Sequence, residues 1–166
     1  MKKKYLAAKI NINENIYGDN VTEMIQMIPD AIKAAKHLQV KQWTWSFSDI
    51  GEIDDGLLHG KLSKARKEIK ETLDLKTKTT QHTVIPNSSE SSFFIYDPVN
   101  EILIFEETSK LNRETFIEIF QRLVYLGNIN IGNIVIKLVP RKDELYSKIK
   151  GIEVLTKIEF DLIPLT

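Results

Sequence analysis

The chain has 166 residues, 42% of them hydrophobic and 28% charged, with 23 basic and 23 acidic side chains and no cysteine. That is the size and composition of one domain with its own core, and it excludes disulfides, thiol catalysis and thiolate metal sites. A formal net charge of zero argues against a binder driven mainly by counterion release from nucleic acid, although a local basic face survives that objection.

No apolar run approaches the ~18 residues of a membrane span. After Met1-Lys2-Lys3-Lys4, Lys9 and Asn11 interrupt the place where an export signal would need its apolar core. A cytoplasmic protein is expected, without contact to a membrane.

In chain order, Tyr5–Ile12 alternates as a strand, with Leu6, Ala8, Ile10 and Ile12 on one face. A polar loop follows, and Asn20 with Glu23 reads as a helix start. Val21, Met24, Ile25, Ile28, Ile32 and Ala35 then recur at helical spacing. Pro29 inside that pattern predicts a kinked or broken helix ending near Leu38. Gln42–Ser48 has period two, with Trp43, Trp45 and Phe47 on one face. A turn over Ile50–Asp55 leads to a returning strand over Gly56–Leu62. The recurrence of Ala65, Ile69 and Leu73 between charges predicts a short amphipathic helix over Ser63–Leu75.

Lys78–Ile85 is a threonine-rich strand ended by Pro86, and Asn87–Ser92 reads as a loop. Phe93–Tyr96 and Ile102–Phe105 flank Asp97-Pro98-Val99-Asn100, the signature of a hairpin. Asn112 then caps a helix whose stripe is Phe116, Ile119, Phe120, Leu123 and Val124, closed by a left-handed cap at Gly127. Asn133–Val139 is a strand, Lys142–Lys150 a short helix, and the alternation of Ile158, Phe160 and Leu162 a last strand.

These elements predict a single α+β domain over residues 1–166, with the loop 87–92 as its one candidate sub-boundary. Its sheet is expected to be twisted and mainly antiparallel, with two to four helices packed on it. The β-α-β-β-α-β order of the first elements is ferredoxin-like in part.

Candidate sites are sparse. His37, His59 and His82 lack the helical spacing of metal ligands. Asp49, Glu52, Asp54 and Asp55 could bind a divalent cation, with Glu106 and Glu107 as conceivable further donors, but without the spacing of a calcium loop they read rather as a solvated turn between two strands. No phosphate-cradling glycine pattern and no nucleophile–base pair is present. Lys61, Lys64, Arg66, Lys67 and Lys70 form the densest basic group. On the predicted helix, Arg66 and Lys70 would share one side, and Lys64 and Lys67 a neighbouring one. Together with Trp43 and Trp45 this gives a face able to contact nucleic acid or a partner. Glu68 and Glu71, interleaved with those cations, point instead to an ordinary solvated surface.

Gly60-Lys61-Leu62, the hairpin residues Phe94-Ile95-Tyr96-Asp97-Pro98 and the helical pair Phe116 and Phe120 carry a resemblance. The Trp43–Lys61 and Phe93–Phe105 stretches resemble the amino-terminal part of uncharacterised bacterial and prophage proteins classed as domains of unknown function. In those, F-x-I-D-P forms the hairpin, and here a tyrosine precedes Asp97-Pro98. The resemblance spans most of the chain and transfers no catalytic residue. It implies a mobile-element or host–phage-conflict setting, and relatives of greater length.

The sequence therefore leans away from an enzyme and calls for no cofactor. It favours an interaction module for a protein partner or for self-association. The alternative is a nucleic-acid-binding or processing protein using the 43–70 face. A metal-dependent hydrolase built on Asp49–Asp55 is the third reading.

Overall fold

Period-two stretches of apolar and β-branched residues form a seven-stranded sheet in the computed structural model, which describes residues 2–12, 21–53, 56–141 and 150. The strands are β1 (Lys4–Ile12), β2 (Leu38–Val40), β3 (Trp43–Ile53), β4 (Leu57–Asp74), β5 (Thr79–Asp97), β6 (Ile102–Glu107) and β7 (Ile134–Leu138). Their order is β2-β3-β4-β5-β6-β1-β7, and every pairing is antiparallel. β2 to β6 form a meander, whereas β1 inserts between β6 and β7.

Among the described residues the α-helices of a turn or more are α1 (Val21–Gln26), α2 (Ile28–Ala34) and α3 (Arg113–Gly127). The fold is thus α+β, with a mainly antiparallel sheet. Pro29 divides the first helical segment as expected: it lies in the first turn of α2, where a missing N–H leaves no bond unmade. That segment ends at Ala34 rather than near Leu38, because β2 takes Leu38 into the sheet.

Asn112 caps α3, its side chain accepting from the Thr115 N–H at 2.9 Å. The predicted stripe, Phe116, Ile119, Phe120, Leu123 and Val124, is buried. Phe116 stacks on Phe105 at 4.2 Å between centroids, and Phe120 meets Phe94 and Phe47 edge-on at 5.3 and 5.1 Å. These pairs join the β5–β6 hairpin, β3 and α3 into one aromatic core. The expected left-handed cap at Gly127 is not formed, since the helix passes to an extended Asn128 with φ −156°. Gly127 serves close packing instead: a Cβ there would lie 1.9 Å from the Ala31 carbonyl oxygen of α2.

Three expectations are corrected. Ser63–Leu75 is not helical, for β4 runs unbroken to Asp74. The spacing of Ala65, Ile69 and Leu73 misled because four is also a multiple of two, so these residues share a strand face as well. The β-α-β-β-α-β order depended on that helix and is not the observed element order. Asn87–Ser92 is not a loop. It lies within β5, Ser88 to Ser92 opposite Arg66 to Leu62. Hydroxyl contacts from Ser48 to Ser63 (2.6 Å) and from Ser63 to Ser91 (3.0 Å) tie that stretch across three strands. The helix expected at 142–150, apart from Lys150, and the strand near 157–162 lie outside the described residues.

Candidate contact surface: a capped tryptophan pair and a projecting ribbon

β4 brings the predicted basic residues out on two faces rather than around a helix. Leu58 and Leu62, buried in the core, share a face with Lys64, Arg66 and Lys70, while Lys61 and Lys67 point to the other. Lys64 and Arg66 therefore continue the core face just where the core runs out. They close over β3: Lys64 Nζ lies 4.5 Å from the Trp43 ring centroid and 5.7 Å from that of Trp45, and the Arg66 guanidinium carbon lies 4.6 Å from Trp43. Lys64 also pairs with Glu90 at 3.3 Å and donates to the Lys110 carbonyl at 2.8 Å. Lys110 pairs with the same carboxylate at 2.7 Å. Two ammonium groups thus hold the Glu90 carboxyl below its ordinary range, the hydrogen bond from Lys110 acting most strongly.

This cluster covers its own aromatic rings. Trp45 is buried, and Trp43 has two cations against it. Lys61 pairs with Asp49 at 2.8 Å, and Arg66 approaches Glu68 at 3.7 Å. Of the five cations grouped by the sequence, Lys67 and Lys70 enter no ion pair among the described residues and stand exposed.

The acidic group is dispersed. Asp49 is held by Lys61, Glu52 by Lys33, Glu106 by Lys3, and Glu107 by Arg113 and Lys4. Asp54 and Asp55 lie outside the described residues. Among the described residues, no three histidine, aspartate or glutamate side chains converge as metal ligands. No described helix is long and apolar enough to cross a membrane.

Beyond this cluster β4 and β5 leave the sheet together. β3 pairs with β4 no further than Thr44↔Ala65, and β6 pairs with β5 only from Phe94 to Asp97. From Lys67 to the turn after Asp74, and back from Thr79 to Ile85, the two strands pair only with each other among the described residues. The result is a two-stranded ribbon projecting about 26 Å at the ordinary strand rise. At its root the register changes from Arg66↔Ser88 to Glu68↔Ile85, with the extra residue on β5 beside Pro86, which has no N–H to pair.

One ribbon face carries Ile69, Leu73 and Val84, exposed to 70, 60 and 57%, with Leu75 at the tip exposed to 81%. Ile69 sits directly across from Val84. In the corner between the start of β3 and the ribbon is an open notch of about 620 Å³, lined by Gln39, Gln42, Thr44 and residues 65–69 of β4. The sequence reading missed these apolar residues as a surface because it placed Ile69 and Leu73 on a helix. The signal was there in Lys78–Ile85, whose threonine-rich pattern has no buried face to alternate with.

No curated protein and no solved structure matches the chain. A family profile does match it, over residues 3–164, which is nearly its whole length. The resemblance carried by Gly60, the Asp97-Pro98 hairpin and Phe116/Phe120 thus has its counterpart in a named family: the chain belongs to the domain of unknown function DUF4747.

Proposed function

We propose that this domain is a non-enzymatic cytoplasmic interaction module, serving a mobile-element or phage-conflict system, whose contact element for a protein partner is the β4–β5 ribbon. The observation that carries this reading is the row of exposed apolar residues on the ribbon, at Ile69, Leu73, Leu75 and Val84. An isolated two-stranded ribbon is marginal in water, and contiguous exposed apolar surface marks interaction sites. The setting comes from the resemblance to prophage proteins.

Nucleic-acid contact is the second reading, and Lys67 and Lys70 are the residues left to support it. It has less in its favour, because Lys64 and Arg66 occupy the tryptophan faces on which bases would stack.

A photo-crosslinking side chain at Leu73 or Leu75, compared with one at Val99 in the β5–β6 turn, tests the proposal in cells. Protein adducts of defined mass are expected from the ribbon positions only. Equal labelling from Val99, or ribbon adducts that vanish on nuclease treatment, would overturn it.

A further inference from the structure

The free edge of the ribbon is self-complementary. β4 offers the run Lys67-Glu68-Ile69-Lys70-Glu71 along an edge that β3 has already left. Two copies of one strand meeting antiparallel about a two-fold axis must have that axis through a residue. Otherwise opposed side chains would lie on opposite faces. Each centre can therefore be tried in turn. Centring on Lys67, Glu68 or Lys70 sets a like charge against itself, centring on Glu71 does so while also opposing Glu68 to Asp74, and centring on Leu73 leaves only Thr72 to Asp74 to pair before the turn. Centring on Thr72 pairs Lys70 with Asp74 but leaves Glu71 against Leu73.

Centring on Ile69 satisfies every position. Lys67 opposes Glu71, Glu68 opposes Lys70, and each pair occurs twice. Ile69 meets its own copy on the axis. Because Ile69 is already opposite Val84 within each chain, the two-fold makes a continuous apolar row of Val84, Ile69, Ile69 and Val84 across four strands. The β5 edge is the poorer candidate. Pro86 and the register change interrupt it, and Thr79–Ile85 carries no opposed charges to fix a register.

We propose that the partner of this ribbon is a second copy of the chain, joined β4 edge to β4 edge about a two-fold axis at Ile69. The inference rests on the ribbon being a protein-contact element. It turns two marginal hairpins into one four-stranded ribbon. The ladder runs from Lys67 to Glu71. Past Glu71 the partner strand reaches the start of β3, where the notch beside Gln39, Gln42 and Thr44 gives it room to leave the sheet plane. With one short edge buried per chain the association is weak and concentration-dependent, so it should be sought up to about 0.5 mM.

The absence of cysteine makes single-cysteine variants unambiguous. In the proposed register, Ile69→Cys places two thiols across an antiparallel pair, with Cα atoms about 4.5–5.5 Å apart, inside disulfide range. Thr72→Cys places them about 20 Å apart. Mild oxidation of the full chain should give covalent dimer from Ile69→Cys and not from Thr72→Cys.

A charge exchange gives the second arm of the test. Lys67→Glu/Lys70→Glu and Glu68→Lys/Glu71→Lys should each be monomeric alone by light scattering, while an equimolar mixture should dimerise. Lys67, Lys70 and Glu71 are exposed and Glu68 is half-buried beside Arg66, so unfolding transitions should stay close to wild type. Cross-linking at Thr72 in preference to Ile69, or a mixture that stays monomeric, would overturn the pairing. If the ribbon still labels a different protein from Leu73, the self-pairing falls and the interaction-module reading stands.

Discussion

Lys9 and Glu101 show how one ion pair fixes a turn. Glu101 is buried at a positive φ of 58°, its carbonyl accepts from the Ile10 N–H at 2.9 Å, and its carboxylate lies 3.0 Å from Lys9 Nζ. Lys9 Nζ also donates to the Asn100 carbonyl at 2.7 Å. Next to this pair, burial above all, and then the charges of Glu101 and Asp97, push the Tyr96 hydroxyl well above its usual range. Lys9→Met should therefore cost about 3 kcal/mol, since it strands a buried carboxylate rather than merely losing a contact. Replacing both Lys9 and Glu101 with methionine should recover much of that loss. Urea unfolding of the three proteins checks this, and equal midpoints for the single variant and wild type would refute it.

Glu107 behaves differently because it is held by Arg113 and Lys4. Hydrogen bonds from Arg113 first, and then from Lys4, bring its carboxyl from an ordinary 4.5 down to about 2. The unfolded chain takes up a proton near the ordinary value, whereas the folded one resists until the lower one. The stability this carboxylate contributes is complete above the ordinary value and is lost as pH falls through the lower. Between about pH 7 and about pH 3, Glu107→Gln should lose less stability than wild type does. The same urea midpoint shift in both proteins would contradict this.

At the scale of elements, the ribbon should be separable from the rest. Arg66 and Ser88 are paired at its root, so residues 67–87 can be replaced by Asn-Gly, a two-residue hairpin turn. The trimmed protein should keep its near-ultraviolet dichroism and its cooperative unfolding, because the buried apolar residues lie outside that segment. Loss of cooperativity would show that the ribbon is part of the core.

The same region marks where the sequence became ambiguous. Elements with a strong period and matching turn chemistry were legible: the Asp97–Asn100 hairpin, the Asn112-capped α3, and β3 with its aromatic face. Ser63–Leu75 was not, since charges interrupt it on both faces and no buried side selects between periods of two and four. Asn87–Ser92 was missed for a related reason. Serines look like a loop until β4 supplies Ser63 to bond with Ser91, itself backed by Ser48 of β3. The Trp43–Lys64–Arg66 grouping was legible as a set of residue types. The role of Glu90 and Lys110 in holding it was not, because only the strand pairing brings them there.

For the whole molecule, the sheet order has a consequence in time. β1 pairs with β6, Lys9 opposite Ile102, and with β7, Ala8 opposite Leu138. β6 leaves the ribosome nearly a hundred residues after it and β7 about 130, roughly 5–25 s later at ordinary rates of synthesis. The β2–β5 meander, whose neighbours are consecutive, can close meanwhile, leaving the apolar side of β1 bare. Nascent chains stalled when Asp97 but not Ile102 has cleared the exit tunnel should therefore be cleaved by protease within residues 2–12 yet protected at Trp45. Chains stalled only after residue 138 has cleared the exit tunnel should be protected at both. The first strand made is the one that waits, and that interval is when this protein depends most on whatever shields nascent chains.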